Sequence, residues 1–200
     1  MKSKVNNKGF TLIELLAVII IMAVIMGVAV TSISRIMDSS KRKTTIQSLN
    51  EMVKSAQTAV VDMDEANFRF ADEAGATVTE QDPTYLYFIP WQCFEIESGT
   101  KSGFGKWDDN KTGVFVVYNS DGAPTFGFQF RDNTGHFLNP TSSEAVNDSR
   151  LSKEIKTKGE LATPGEKSVS FNGQTYTPDK TIIAVDYKPS ESGGKQACKR

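Results

Sequence analysis

The acid at position 14 stands where an acid is costly. Glu14 is the sole charged residue between Phe10 and Val30, in a run dominated by Leu, Ile, Val, Met and Ala. A carboxylate at the centre of an apolar span costs about 2.5–3.5 kcal/mol on insertion scales. Near the start of a span it costs less, because the side chain reaches the headgroups. A positive partner is expected, yet no Lys, Arg or His lies between Phe10 and Ser34. The partner is therefore on another molecule or is a charge made by processing. Cleavage between Gly9 and Phe10 would make one, an α-amino group on Phe10. Opposite charges at ~4 Å attract strongly in a low-dielectric medium, although desolvation cancels much of the gain. The pair's main contribution is register: a carboxylate without its amine stays unsatisfied, so chains dock at one axial offset.

Elsewhere the residues that could do chemistry are few. The single histidine, His136, lies in "RDNTGHFLNP" and reads as an exposed turn residue. Cys93 and Cys198 have no second Cys or His close by, which argues against a zinc site. Asp108, Asp109 and Asn110 in "WDDNKTG" offer oxygen ligands for calcium, but their spacing departs from an EF-hand loop, and such clusters also form ordinary turns. "SGFGKW", with Gly103 and Gly105, lacks the strand-to-helix setting of a phosphate loop. No nucleophile elbow, Walker loop or dinucleotide fingerprint occurs. The residues point to neither an enzyme nor a cofactor.

The elements that hold these residues follow from composition. Apolar residues make up 38% of 200, but they are concentrated in residues 10–30. That is about the length that spans a bilayer. It exceeds the apolar core of a secretory signal peptide, and no A-x-A-like site follows it. Ahead of it stand Lys2, Lys4 and Lys8 with no acid, so the positive-inside rule keeps the N-terminus in the cytoplasm and exports everything after Val30. Without those three lysines the remainder is mildly acidic and gives no reason to expect nucleic acid. In an exported domain two cysteines suggest one Cys93–Cys198 disulfide; the alternative is a pair of unlinked thiols.

Beyond the span, Ile46, Leu49, Val53, Ala56, Val60 and Met63 recur at three- and four-residue steps, an amphipathic helical stripe. No Pro intervenes, so one helix is expected from about Phe10 to about Asp64. Lys41, Arg42 and Lys43 read as a solvated face or as salt-bridge partners of another subunit. Trp91, Phe104 and Trp107 could serve adhesion if exposed, but most of them are expected against the helix. After residue 67 the texture becomes strands and turns. "TYLYFIP" (84–90), "GVFVVY" (113–118) and "TFGFQF" (125–130) read as strands, the last two as a hairpin. "SVSFNGQTYT" (168–177) reads as a hairpin with Asn172-Gly173 in a type I′ turn, and 181–187 as a further strand. The tail after Pro189 is expected to be loose, except where Cys198 ties it down. The expected fold is α+β: a long N-terminal helix, transmembrane in its front half, packed on an antiparallel sheet. Its segments are a basic leader (1–9), a membrane helix (10–30), its amphipathic continuation (31–66) and a β-rich exported head (67–200).

"KGFTLIELLAVIIIMAVI" resembles the class III leader and N-terminal helix of type IV pilins and their pseudopilin relatives. The resemblance covers about the first thirty residues. It implies that a prepilin peptidase cuts after Gly9 and methylates Phe10, and that Glu14 neutralises the N-terminal amine of a neighbouring subunit. The partners it implies are identical or homologous pilin subunits, the peptidase, an assembly platform with its motor, and the cytoplasmic membrane before assembly. The surface filament would then support adhesion, surface motility or aggregation. The alternative is a pseudopilin of a secretion or competence machine; some of these hold calcium in a loop like that at Asp108. A membrane-anchored enzyme or sensor with a coincidental leader is a third, less supported reading. One departure stands out: many pilins place Pro or Gly within the apolar helix, whereas this chain has Gly27 and no Pro. Gly costs about 1 kcal/mol relative to Ala in a helix and Pro about 3, so local melting at Gly27 is weakly encoded.

Overall fold

The computed structural model describes residues 11–62, 68–71, 76–78, 82–94, 103–148, 150–159, 161, 168–177, 180–186 and 198. Helix α1 (Leu12–Val61) contributes to two compact units, residues 1–40 and 41–200.

Within the first unit, α1 is rich in β-branched residues, which favour helix weakly in water. An apolar medium reverses the balance, because the helix satisfies every backbone group internally. The described side chains from Leu12 to Met26 are all exposed, Leu12 at 85% and Ile13 at 72%. The helix is apolar on every side, long enough to cross a membrane, and runs through Gly27 without a break.

In the second unit, the head, one stripe of α1 turns inward. Leu49, Met52, Val53, Ala56 and Val60 are buried, and Ile46 is partly so. These follow the expected periodicity; Met63 lies outside the described residues. Thr45 and Ser48 are also buried, and their hydroxyls donate to the carbonyls of Lys41 and Thr44 one turn back.

The stripe packs on a six-stranded sheet of β1 (Phe68–Ala71), β2 (Tyr85–Pro90), β3 (Gly113–Tyr118), β4 (Pro124–Arg131), β5 (Phe137–Ser142) and β8 (Lys180–Asp186), ordered β1-β8-β2-β3-β4-β5. All pairings are antiparallel except β2–β8, which is parallel, so the sheet is mixed rather than purely antiparallel. The last strand enters between β1 and β2, a non-local pairing that local patterning cannot encode. β1 and β5 were not expected. β1 has four residues, and β5 carries Pro140, which fits its place at a sheet edge. Short α2 (Leu151–Glu154) follows β5.

Strict alternation assigns the two faces. Tyr87, Ile89, Val114, Val116, Phe128 and Ile182 join the α1 stripe in one core, with Trp91 and Trp107. Leu86, Phe88, Phe115 and Val117 point the other way and are covered by Val169 and Phe171. The hairpin 168–177 thus forms its own two-stranded sheet, β6 (Val169–Phe171) and β7 (Gln174–Tyr176), as a third layer. Its turn has positive φ at Asn172 (53°) and Gly173 (70°), as a type I′ turn requires. Gly127 admits this layer: a Cβ there would sit 2.6 Å from the Phe171 ring. Cys93 and Cys198 form a disulfide, with Cα atoms 5.0 Å apart, which fixes Cys198 within the core.

Candidate functional site

Glu14 occupies the first turn of α1, and its carboxylate is held there. The Thr11 backbone N–H and hydroxyl both donate to Glu14 Oε2, at 2.9 and 2.8 Å. The Glu14 N–H lies 3.4 Å from the Thr11 hydroxyl oxygen, which accepts it. This is a capping box, the reciprocal satisfaction of amides left unpaired at a helix start. The positive end of the helix dipole adds to the preference for an anion there. The carboxylate is thereby fixed at the N-terminal end of the helix, the end that Phe10 precedes. Gly9 and Phe10 themselves lie outside the described residues. The sequence signal for this cap is the T-x-x-E spacing of Thr11 and Glu14 ahead of the apolar run.

The other candidates take structural places. Asp108 Oδ1 accepts the Asn110 N–H at 3.0 Å and the Asp108 carbonyl accepts the Thr112 N–H, a side-chain-stabilised turn. Among the described residues no group of three or more His, Cys, Asp or Glu could hold a metal ion. His136 is not an exposed turn residue. Its ring stacks on Phe104, centroids 3.8 Å apart, and its Nδ1 meets the Thr134 hydroxyl at 2.8 Å. The reason is Asp132, a buried carboxylate that accepts the N–H groups of Thr134 and His136 and folds the turn inward. Trp91 and Trp107 pack edge-to-face in the core, 5.9 Å apart.

The basic run 41–43 divides. Lys41 and Lys43 are exposed, but Arg42 turns inward, donating from Nη1 to the carbonyls of Ile155 (2.7 Å) and Ser152 (3.4 Å). A groove of about 290 Å³ lies between β2 and the β6–β7 hairpin, lined by Tyr85, Tyr176, Thr84, Thr175 and Thr177 among others. Its lining contains no acid–base pair.

A family model described as the prokaryotic N-terminal methylation motif matches residues 4–30. It is the class III signal of type IV pilins and pseudopilins. The long N-terminal helix packed on a mostly antiparallel sheet is consistent with the pilin fold. No curated protein and no solved structure matches the chain.

Proposed function

We propose that this chain is a structural subunit of a type IV pilus. A prepilin peptidase cuts it after Gly9 and methylates Phe10, and the processed chain waits in the cytoplasmic membrane, N-terminus inside. A platform and motor then draw it into a surface filament that supports adhesion, surface motility or aggregation. The observation that carries this reading is the placement of Glu14, an acid held by Thr11 at the start of a helix whose apolar side chains from Leu12 to Met26 are all exposed. Such a helix needs lipid or other copies of itself around it. Neutralising Glu14 with a neighbour's Phe10 amine lets the helix leave lipid for a protein core in one register.

The test is Glu14→Ala. We expect a mutant that is still processed and still in the membrane, with surface filaments lost. Filaments at the wild-type level would remove the role assigned to Glu14. Wild-type protein that is processed yet confined to the membrane fraction would favour the pseudopilin alternative.

A further inference from the structure

We propose that the head carries a basic face that docks on anionic lipid headgroups of the membrane holding α1, an inference that rests on the membrane anchoring assigned above. Five exposed lysines define it: Lys41 and Lys43 on the first turn of the head, and Lys153, Lys156 and Lys158 on the segment around α2. That segment is tied to α1 by Arg42, which bonds the carbonyls of Ser152 and Ile155. It is tied to β5 by the backbone pair of Phe137 and Lys156, 2.8 Å in each direction. Exposed Lys106 belongs to a third segment fastened to the same turn. Gly103 N–H donates to the Thr45 hydroxyl at 3.0 Å, and the Phe104 ring lies 5.9 Å from Lys41 Nζ. Among the described residues none of these lysines forms an ion pair; the nearby Asp148 is paired with Arg150, and Glu154 is the acid that interrupts the segment.

Two arguments select the occupant. From Phe10 onward the chain is net acidic, so the gathering of exposed lysines on three segments joined at one turn is a local feature and not a general surface charge. Lys41 also follows Val30 by only eleven residues along the chain. The positive-inside bias depletes lysine on the exported side within about 15–20 residues of a span, so a cluster there calls for a counter-charge. Anionic headgroups supply one that acts within about a Debye length, roughly 8–10 Å, and attracts each basic side chain near the surface. A second copy is the competing occupant, because its head is net acidic.

The experiment uses the full chain, one copy per nanodisc, in phosphatidylcholine alone or mixed equally with phosphatidylglycerol. Amine acetylation at each lysine is followed by mass spectrometry. We expect labelling of Lys41, Lys43, Lys153, Lys156 and Lys158 to slow about fivefold or more in the anionic discs and to recover in high salt. Lys54 and Lys111 should label equally in both, since Lys54 is thirteen residues, about 20 Å of helix, beyond Lys41. The triple variant Lys153→Glu, Lys156→Glu, Lys158→Glu should restore labelling of Lys41 and Lys43. Equal labelling in the two discs, with the chain inserted, overturns the docking face alone. Slowing that appears in neutral discs once two copies share a disc assigns the face to a second copy and also overturns it. Failure of the chain to enter discs removes the anchor, and the inference with it.

Discussion

At the scale of single residues, Glu14 does two things that one substitution can separate. Its carboxylate completes a capping box with Thr11, and its charge is proposed to meet the Phe10 amine of a neighbour. Glu14→Gln keeps an acceptor for Thr11 but removes the charge. If charge sets the register, the Gln variant should fail to form filaments as Ala does, while circular dichroism of the membrane form stays unchanged. Normal filaments from Gln would reduce Glu14 to a helix cap. Glu14 stands out in the sequence because its type contradicts its surroundings, an acid within an apolar run. The half-buried place of His136 is not legible in the sequence, because its partners, Phe104 and Asp132, come from a distant loop and from a carboxylate whose burial follows from tertiary packing. Tyr118 gives a pH prediction. Burial first, and neighbouring Tyr87 second, push its phenol up to about 12. The fold thus favours the neutral form, and this contribution is complete below the unfolded value of ~10 and lost as pH rises toward about 12. Head stability measured by denaturant should therefore fall between those limits, and Tyr118→Phe should flatten the decline.

At the scale of elements, the sequence showed most clearly what local periodicity governs. The α1 stripe and the alternation in β2 and β3 could be read from spacing, and Asn172-Gly173 marked its hairpin. The insertion of β8 between β1 and β2 could not, because two strands far apart in the chain pair without a local signal. Nor could the separate layer of β6–β7, which depends on Gly127 leaving room for Phe171. Gly127→Ala should push this hairpin off the sheet and destabilise the head by about 1–3 kcal/mol, the usual cost of overpacking, read as a lowered unfolding midpoint. An unchanged midpoint would mean that the hairpin does not rest on that face. Arg42 shows how a charge run hides a structural residue. Arg42→Ala should cost about 1.5–3 kcal/mol by removing its charged hydrogen bonds to the Ser152 and Ile155 carbonyls, and hydrogen exchange should rise in α2 first.

At the scale of the whole molecule, the chain joins a helix with no self-contained environment to a head with its own layered core. The disulfide closes a loop between Cys93 and Cys198, which are 105 residues apart, and the chain-entropy model assigns about 4–5 kcal/mol to so long a loop. Cys198→Ser should lower head stability by an amount of that order in denaturant titrations, without altering processing at Gly9. The proposed life of this chain is to be cut after Gly9, methylated at Phe10 and polymerised outside the cell. The intact mass of protein sheared from the cell surface tests it most directly. An abundant species that begins at N-methylated Phe10 is expected. A chain beginning at Met1 or Lys2, or no such species in the sheared fraction, would contradict it.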